Sequence, residues 1–165
     1  LKNLLKSCDE GSTVLLEFGG NDCAYNWPAV SANPAGIHNP NVELSEFVSS
    51  AAATAAYVRN LGGEPVFASI PPLDPDKYFD FLSQGLSREN ILLWLGDKTM
   101  LMRWQERYGR ALDELARELG CRIIDLRSPF LTRHDFKELI CEDGLHPTEA
   151  GHAVIGNTVC KFMLN

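Results

Sequence analysis

The sequence lacks the short signatures that mark the commonest cofactor and metal sites. It contains no Walker loop and no Gly-x-Gly-x-x-Gly fingerprint, so no phosphate-binding loop is indicated. Its four histidines form no metal-binding repeat, and its five cysteines include no Cys-x-x-Cys pair. These absences argue against a zinc ribbon and a disulfide scaffold. We therefore expect no metal site.

Clusters of basic residues and long apolar runs are absent as well. The net charge is −7 and the acidic residues are spread along the chain, whereas binding to a nucleic-acid backbone needs clustered Lys and Arg. No apolar run approaches the length of a membrane span, and no secretory signal is visible. We expect no nucleic-acid partner and no membrane span. The isolated cysteines favour a reducing compartment such as the cytoplasm, but secretion stays open because the sequence starts at Leu1 rather than at a Met.

What the sequence does contain is an alternation of apolar strands and amphipathic helices. Strands that are apolar throughout, connected by such helices, are typical of a parallel sheet covered on both faces. The sequence therefore predicts an α/β fold, a three-layer sandwich around a parallel sheet, formed by residues 1–165 as a single domain. The predicted strands are 13–18, 65–70 and 121–126, and the predicted helices are 43–61, 78–82, 91–95, 98–119 and a last helix with Pro147 in its first turn.

Just before the last predicted helix, the segment Asp143-Gly144-Leu145-His146 combines a carboxylate with a histidine. A histidine that acts as a general base needs a carboxylate on its other ring nitrogen, which fixes its tautomer and orientation. The two-residue spacing, in a turn that contains glycine, could bring Asp143 and His146 into contact. The same residues also fit an ordinary Asp-Gly turn with a histidine that caps a helix. This segment alone therefore does not distinguish a catalytic pair from a structural turn.

A second motif, Gly19-Gly20-Asn21-Asp22, follows the first predicted strand. Two glycines let the backbone approach a ligand closely, and a side-chain amide at the carboxyl end of a strand can donate to a developing oxyanion. By itself the segment also fits an Asn/Asp turn. Both motifs lie in loops that follow strands, so both are expected at the carboxyl edge of the sheet, where ligands bind.

Together the two motifs resemble those of the SGNH hydrolase family, a group of serine esterases and lipases. In that family a Gly-x-Asn-Asp block follows the third strand, and an Asp-x-x-His block precedes the final helix. The resemblance extends along the whole chain in order and spacing. It implies that Asn21 donates its amide to the oxyanion, that His146 is the general base, and that Asp143 orients His146.

The resemblance also implies roles for the rest of the first motif and for the loop that follows it. Gly19 and Gly20 shape the turn, and Asp22 braces the loop. The long loop from 19 to 42 also carries Trp27, which we expect to line the substrate pocket beside Asn21.

The sequence departs from the family at its start. The family begins with a strand that ends in Gly-Asp-Ser, whose serine is the nucleophile, and no such block precedes Gly19. Ser7 and Ser12 come before the first predicted strand and would lie at its far end. Ser69 ends the wrong strand for the family nucleophile. No nucleophile is therefore assigned within the 165 residues.

The family fold has five parallel strands in the flavodoxin-like order 2-1-3-4-5. By the resemblance, this chain shows strands three to five, with the first two strands missing, and is N-terminally incomplete. The serine is then expected on a segment before Leu1. The strand that contains Val14 and Phe18 would have an unpaired edge, so we expect a separate N-terminal fragment or a second copy in a dimer to pair with it.

The resemblance implies hydrolysis of an acyl or acetyl ester by a serine enzyme that needs no cofactor. An acyl group on a carbohydrate is one candidate substrate. The alternative is a catalytically silent domain of the same fold that binds a carbohydrate or a protein partner.

Overall fold

The computed structural model of the protein describes residues 10–164. Within them the chain alternates between three short strands and seven α-helices, with one 3₁₀ helix before the last α-helix. The elements are β1 (Thr13–Leu16), α1 (Trp27–Ala32), α2 (Leu44–Asn60), β2 (Glu64–Ala68), α3 (Pro75–Leu82), α4 (Arg88–Leu95), α5 (Thr99–Glu118), β3 (Arg122–Ile124), α6 (Ser128–Leu131), the 3₁₀ helix Phe136–Leu139 and α7 (Glu149–Met163).

The three strands form one parallel sheet in the order β1-β2-β3. In its register Leu16 is opposite Phe67, and Phe67 is opposite Ile123. Parallel strands need crossover connections, and α2 and α5 supply them. All three strands therefore end at the same edge of the sheet, and the loops that follow them meet there.

Helices cover both faces of this sheet. On one face Leu16 and Phe67 pack with residues of α2 and α5, including Phe47 and Leu112. On the other face residues of β2 and β3 pack against α7. The predicted α/β fold, with a parallel sheet between helical layers, is confirmed.

The first strand is more exposed than its apolar sequence predicts. Leu16 is buried, but Leu15 on the opposite face retains 45% of its surface exposed. On that face α7 packs against β2 and β3, and the contacts of its apolar side chains are with residues such as Val66 and Ile124. The expectation that β1 is buried on both faces is therefore wrong for the described residues.

In the longest helix, α5, the apolar spacing of the sequence predicts a buried stripe, which consists of Leu101, Trp104, Tyr108, Ala111, Leu115 and Leu119. Leu101, Tyr108 and Leu115 are buried as expected, whereas Trp104 lies at the edge of the core and Gln105 is almost fully buried. Trp104 stacks on Tyr25 instead, with the ring centroids 4.5 Å apart. The buried stripe thus contains Gln105 in place of Trp104, and a polar side chain lies on the buried face of the helix.

Two further predictions about helices are corrected. The loop after the first motif contains α1, a six-residue helix whose amino end is capped by the side chain of Asn26. Pro147 precedes the last helix rather than starting its first turn, because Thr148 is the N-cap, with its hydroxyl accepting from the Gly151 amide at 3.2 Å. The apolar spacing of the last helix predicts Ala150 on its core face, but Ala150 is exposed. None of the helices within residues 10–164 is both long and apolar enough to cross a membrane.

Candidate active site

The two motifs line one cleft at the carboxyl edge of the sheet. The cleft has a volume of about 560 Å³ and is bordered by the end of β1 and the loop after it, by the chain that follows β2 and β3, by the His146 turn and by α7. Asn21 and His146 both line it. A shallower groove of about 760 Å³ runs along the outer side of the Asp143 turn, but neither Asn21 nor His146 lines that groove. We therefore place the candidate site in the first cleft.

His146 and Asp143 form a close pair at the mouth of this cleft. The imidazole Nδ1 lies 2.6 Å from Asp143 Oδ2. The other carboxylate oxygen, Oδ1, accepts from the backbone amides of Leu145 at 2.9 Å and of His146 at 3.0 Å. The carboxylate is thus fixed by three donors, while 77% of the His146 side chain is exposed and accessible to a ligand.

The protonation of this pair follows from its hydrogen bonds. Burial by itself raises the pKa of Asp143, but the bonds from the His146 ring and from the two backbone amides outweigh it, so the pKa of this carboxyl lies below its usual value. An ionised carboxylate can only accept, so Nδ1 of the neutral imidazole carries the proton. Nε2 then holds the free lone pair, which is the arrangement that a general base requires.

The turn that carries the pair is held by contacts with the chain on either side. The Cys141 amide donates to the His146 carbonyl at 2.8 Å, and the Asp74 amide donates to the Gly144 carbonyl at 2.9 Å. Gly144 has a φ of +75°, and a Cβ added to it would lie 2.1 Å from the Tyr78 nitrogen. Only glycine fits there, because both the left-handed backbone and the contact with α3 exclude a side chain.

The loop after β1 brings Asn21 to the opposite side of the cleft. Gly19 has a φ of +121° and packs so closely that an added Cβ would lie 2.7 Å from Ile70 Cδ1. The Asn21 carbonyl accepts from the Asn41 side chain at 2.9 Å, which ties the turn to the far end of the loop. The exposed side-chain amide of Asn21 has no hydrogen-bond partner within residues 10–164, so its N–H groups are available to a ligand.

The remaining candidates from the sequence differ in where they lie. Gly20 and Asp22 both line the cleft, and the Asp22 carbonyl accepts from the Val42 amide at 3.0 Å. Trp27 does not line it. Its ring packs among aromatic residues, 6.2 Å from Trp94 and 6.5 Å from Tyr78 between centroids. The expectation that Trp27 lines the substrate pocket is therefore not met in this cleft, because α1 turns the ring into the aromatic cluster.

Three polar residues that the sequence did not single out as site residues also line the cleft. They are Glu17, Gln105 and His152. Glu17 is exposed at the surface, but the protein atoms around its carboxyl partly desolvate it and raise its pKa. His152 is exposed on α7. Gln105 could have been detected from its spacing, because it falls four residues after Leu101 and three before Tyr108 on the apolar face of α5.

No hydroxyl or thiol lines the described part of the cleft. Ser69 is buried, and its Oγ accepts from the backbone amides of Leu126 at 2.9 Å and of Arg127 at 3.1 Å. Ser12 lies at the amino end of β1, where its carbonyl accepts from Glu64. Ser7 lies outside the described residues.

Among residues 10–164, no group of three His, Cys, Asp or Glu side chains is placed to hold a metal ion.

Comparison with known proteins identifies the family of this chain. The model of the GDSL-like Lipase/Acylhydrolase family matches residues 5–154. The GDSL esterase/lipase CPRD49 of Arabidopsis thaliana is 27% identical over 154 residues, which cover 92% of this chain and 54% of that protein. The chain thus spans about half the length of this relative.

Solved structures share the fold. A lipase/acylhydrolase from Enterococcus faecalis matches with a TM-score of 0.63 at 14% identity, covering 97% of this chain and 63% of the other. An acetylxylan esterase from Geobacillus stearothermophilus matches with a TM-score of 0.60 at 16% identity, covering 91% of this chain and 58% of the other. The family match spans most of the sequence, including both motifs. The chain therefore belongs to the GDSL-like lipase/acylhydrolase family.

Proposed function

We propose that this chain provides the general base and an oxyanion donor of a serine esterase that hydrolyses an acyl or acetyl ester. The observation that carries the proposal is the 2.6 Å contact between His146 Nδ1 and Asp143 Oδ2, in a cleft that Asn21 also lines. The carboxylate fixes the tautomer, so Nε2 can accept a proton. The unpartnered amide of Asn21 is a donor for negative charge on a substrate oxygen.

The proposed reaction has two steps and balances without a cofactor. A serine Oγ attacks the ester carbonyl carbon while its proton passes to His146 Nε2, and the oxyanion accepts a hydrogen bond from Asn21. The carbon–oxygen bond to the alcohol then breaks, and the alcohol leaves with the proton from His146. In the second step water attacks the acyl-enzyme by the same route, which releases the acid and restores the serine.

The nucleophilic serine is assigned to a segment that precedes Leu1. Within residues 10–164, β1 pairs only with β2, so the backbone groups on its other edge are open to a further strand. A parallel strand added there would end at the same edge of the sheet as the loop that holds Asn21. It would also cover Leu15, which is 45% exposed. A separate fragment or a second copy of the protein could supply this strand equally well.

An ester of a carbohydrate is the proposed substrate class. One structural neighbour is an acetylxylan esterase, which supports a small acyl group on a sugar. The cleft supports the same choice, because polar groups of Glu17, Gln105 and His152 line it together with apolar side chains. Such a mixed lining suits an alcohol half that carries several oxygens.

The proposal is tested with the protein translated from the complete reading frame. We expect it to hydrolyse 4-nitrophenyl acetate and to be labelled by a fluorophosphonate, which reacts with an activated serine. Peptide mapping of the label should identify a serine before Leu1. Absence of both hydrolysis and labelling, with binding of a sugar intact, would instead support the alternative of a catalytically silent domain that binds carbohydrate or a protein.

Replacing Asn21 by alanine tests the oxyanion donor. Because loss of one such donor weakens stabilisation of the tetrahedral state, we expect kcat to fall roughly a hundred- to a thousandfold, with a much smaller change in KM. Asn39→Ala is the matched control, since Asn39 is an exposed residue of the same loop that does not line the cleft. Equal activities of the two variants would remove Asn21 from the oxyanion hole.

A further inference from the structure

Gln105 is a buried polar side chain on the floor of the candidate site. It retains only 4% of its surface exposed, yet it lines the cleft together with Ile70, Pro71 and Leu126. Its position on the apolar face of α5 puts a primary amide among hydrophobic side chains. Such a group is costly to bury unless its donors and acceptor are satisfied.

The neighbouring Arg127 fixes the orientation of this amide. Arg127 Nη1 lies 3.1 Å from Gln105 Oε1 and 3.4 Å from the carbonyl oxygen of Ile70. Its Nε lies 2.8 Å from Glu106 Oε2, so an ion pair holds the guanidinium in place. A guanidinium has donors only, so the glutamine atom that faces it must be the carbonyl oxygen. The NH₂ group is therefore the end that Arg127 leaves free.

The donors of this NH₂ group have no acceptor within the described residues. Oε1 of Gln105 takes part in its one side-chain hydrogen bond, and Nε2 takes part in none. Within residues 10–164, the fully enclosed side-chain polar atoms that make no hydrogen bond are Asp74 Oδ2 and Arg127 Nε, each of which has an ion-pair partner, and Nε2 of Gln105 is not enclosed in this way. It thus retains access to the cleft, where water or a ligand can accept from it.

We propose that Gln105 is a specificity-determining residue, whose NH₂ group donates a hydrogen bond to an oxygen of the substrate other than those of the reacting ester. Arg127 acts as the positioning residue, because it holds the amide with its donors free. The inference rests on the proposed esterase function and narrows its substrate to esters with an oxygen-rich alcohol half, such as an acylated sugar or polyol. An alkyl ester offers no acceptor to this donor, which then stays unpaired.

The test compares two acetate esters in the full-length protein. One is a monoacetate of methyl xyloside, and the other is hexyl acetate, which has the same acyl group but a hydrocarbon alcohol half. We expect Gln105→Met to lower the ratio of their kcat/KM values, sugar over alkyl, by about tenfold, because one hydrogen bond is lost only with the sugar ester. Gln84→Met is the matched control, since Gln84 is the only other glutamine and is exposed outside the cleft.

Gln105→Glu provides a second variant that keeps the polar contact with Arg127, so it is informative even if the methionine variant fails to fold. A carboxylate has no donor and repels an acceptor oxygen, so we expect the ratio to fall at least as far as in Gln105→Met. An unchanged ratio in a folded variant at position 105, or an equal fall in Gln84→Met, would overturn the inference.

Equilibrium binding separates this inference from the esterase proposal. Calorimetry with methyl xyloside, the product alcohol, needs no catalytic serine. We expect its Kd to rise about tenfold in Gln105→Met. If the wild-type protein hydrolysed neither ester but this difference in Kd persisted, the esterase function would fail while the role of Gln105 stood. If the Kd were the same in both proteins, the role of Gln105 would be rejected.

Discussion

We expect His146→Ala to lower kcat for 4-nitrophenyl acetate by up to about a millionfold in the full-length protein, which is the effect of losing the base of a catalytic triad. Nε2 of His146 is the free ring nitrogen, because Nδ1 is bonded to Asp143 at 2.6 Å. Without it, the serine keeps its proton and the leaving alcohol gains none. The measurement is the steady-state rate at a saturating concentration of the ester.

Substitution of Asp143, the hydrogen-bond partner of His146, should lower the same rate by a smaller factor. Asp143→Asn keeps the size of the side chain but can donate to Nδ1, which favours the wrong tautomer, so we expect a fall of roughly ten-thousandfold. Because the pKa of Asp143 lies below its usual value, the carboxylate is ionised at neutral pH and the comparison is between a charged acceptor and a neutral amide.

A matched control for both variants is His134→Ala. His134 is exposed, and it lines neither the cleft nor the groove beside it. We expect this substitution to leave the rate within a factor of about two, since surface substitutions away from a site have small effects. Retention of full activity in His146→Ala would exclude His146 as the general base.

The parts of the site that the sequence predicted are those that local chemistry determines. Asp143 and His146 are three residues apart, and the turn between them needs only a glycine and the backbone amides that the carboxylate accepts. Gly19 and Asn21 likewise follow a strand directly. In both cases the geometry depends on a few neighbouring residues, and strand order brings the two segments to one edge of the sheet.

The parts that the sequence did not predict depend on contacts between distant segments. The orientation of Gln105 depends on Arg127, which is 22 residues away along the chain, and no periodicity indicates that contact. Trp27 was expected in the pocket because it follows Asn21, but its ring packs against Trp94 and Tyr78 from later helices. Trp104 also packs in this aromatic cluster, against Tyr25, and the next residue, Gln105, is buried on the core face of α5.

The second large effect that we expect is on stability, from Gly144→Ala. Gly144 has a φ of +75°, and an added Cβ would lie 2.1 Å from the nitrogen and 2.6 Å from the Cα of Tyr78. The left-handed backbone costs a residue with a side chain about 1–2 kcal/mol, and overpacking adds about 1–3 kcal/mol. We therefore expect the free energy of unfolding, measured with urea, to fall by about 2–5 kcal/mol.

Gly120→Ala separates the two contributions. Gly120 has a similar φ of +61°, but no atom lies within 4 Å of an added Cβ. In this variant we expect the free energy of unfolding to fall only by the cost of the left-handed backbone, about 1–2 kcal/mol. Its activity should be unchanged. An equal loss of stability in the two variants would show that the turn can move away from α3 without strain.

The two variants should also differ in catalysis. The Gly144 carbonyl accepts from the Asp74 amide at 2.9 Å, so the contact with α3 holds the turn that carries Asp143 and His146. Relief of the overlap with Tyr78 has to move this turn, because the neighbouring atoms are backbone of a helix. A displacement of about 1 Å can lower a rate by about a hundredfold. We therefore expect Gly144→Ala to lower kcat even under conditions in which the protein remains folded.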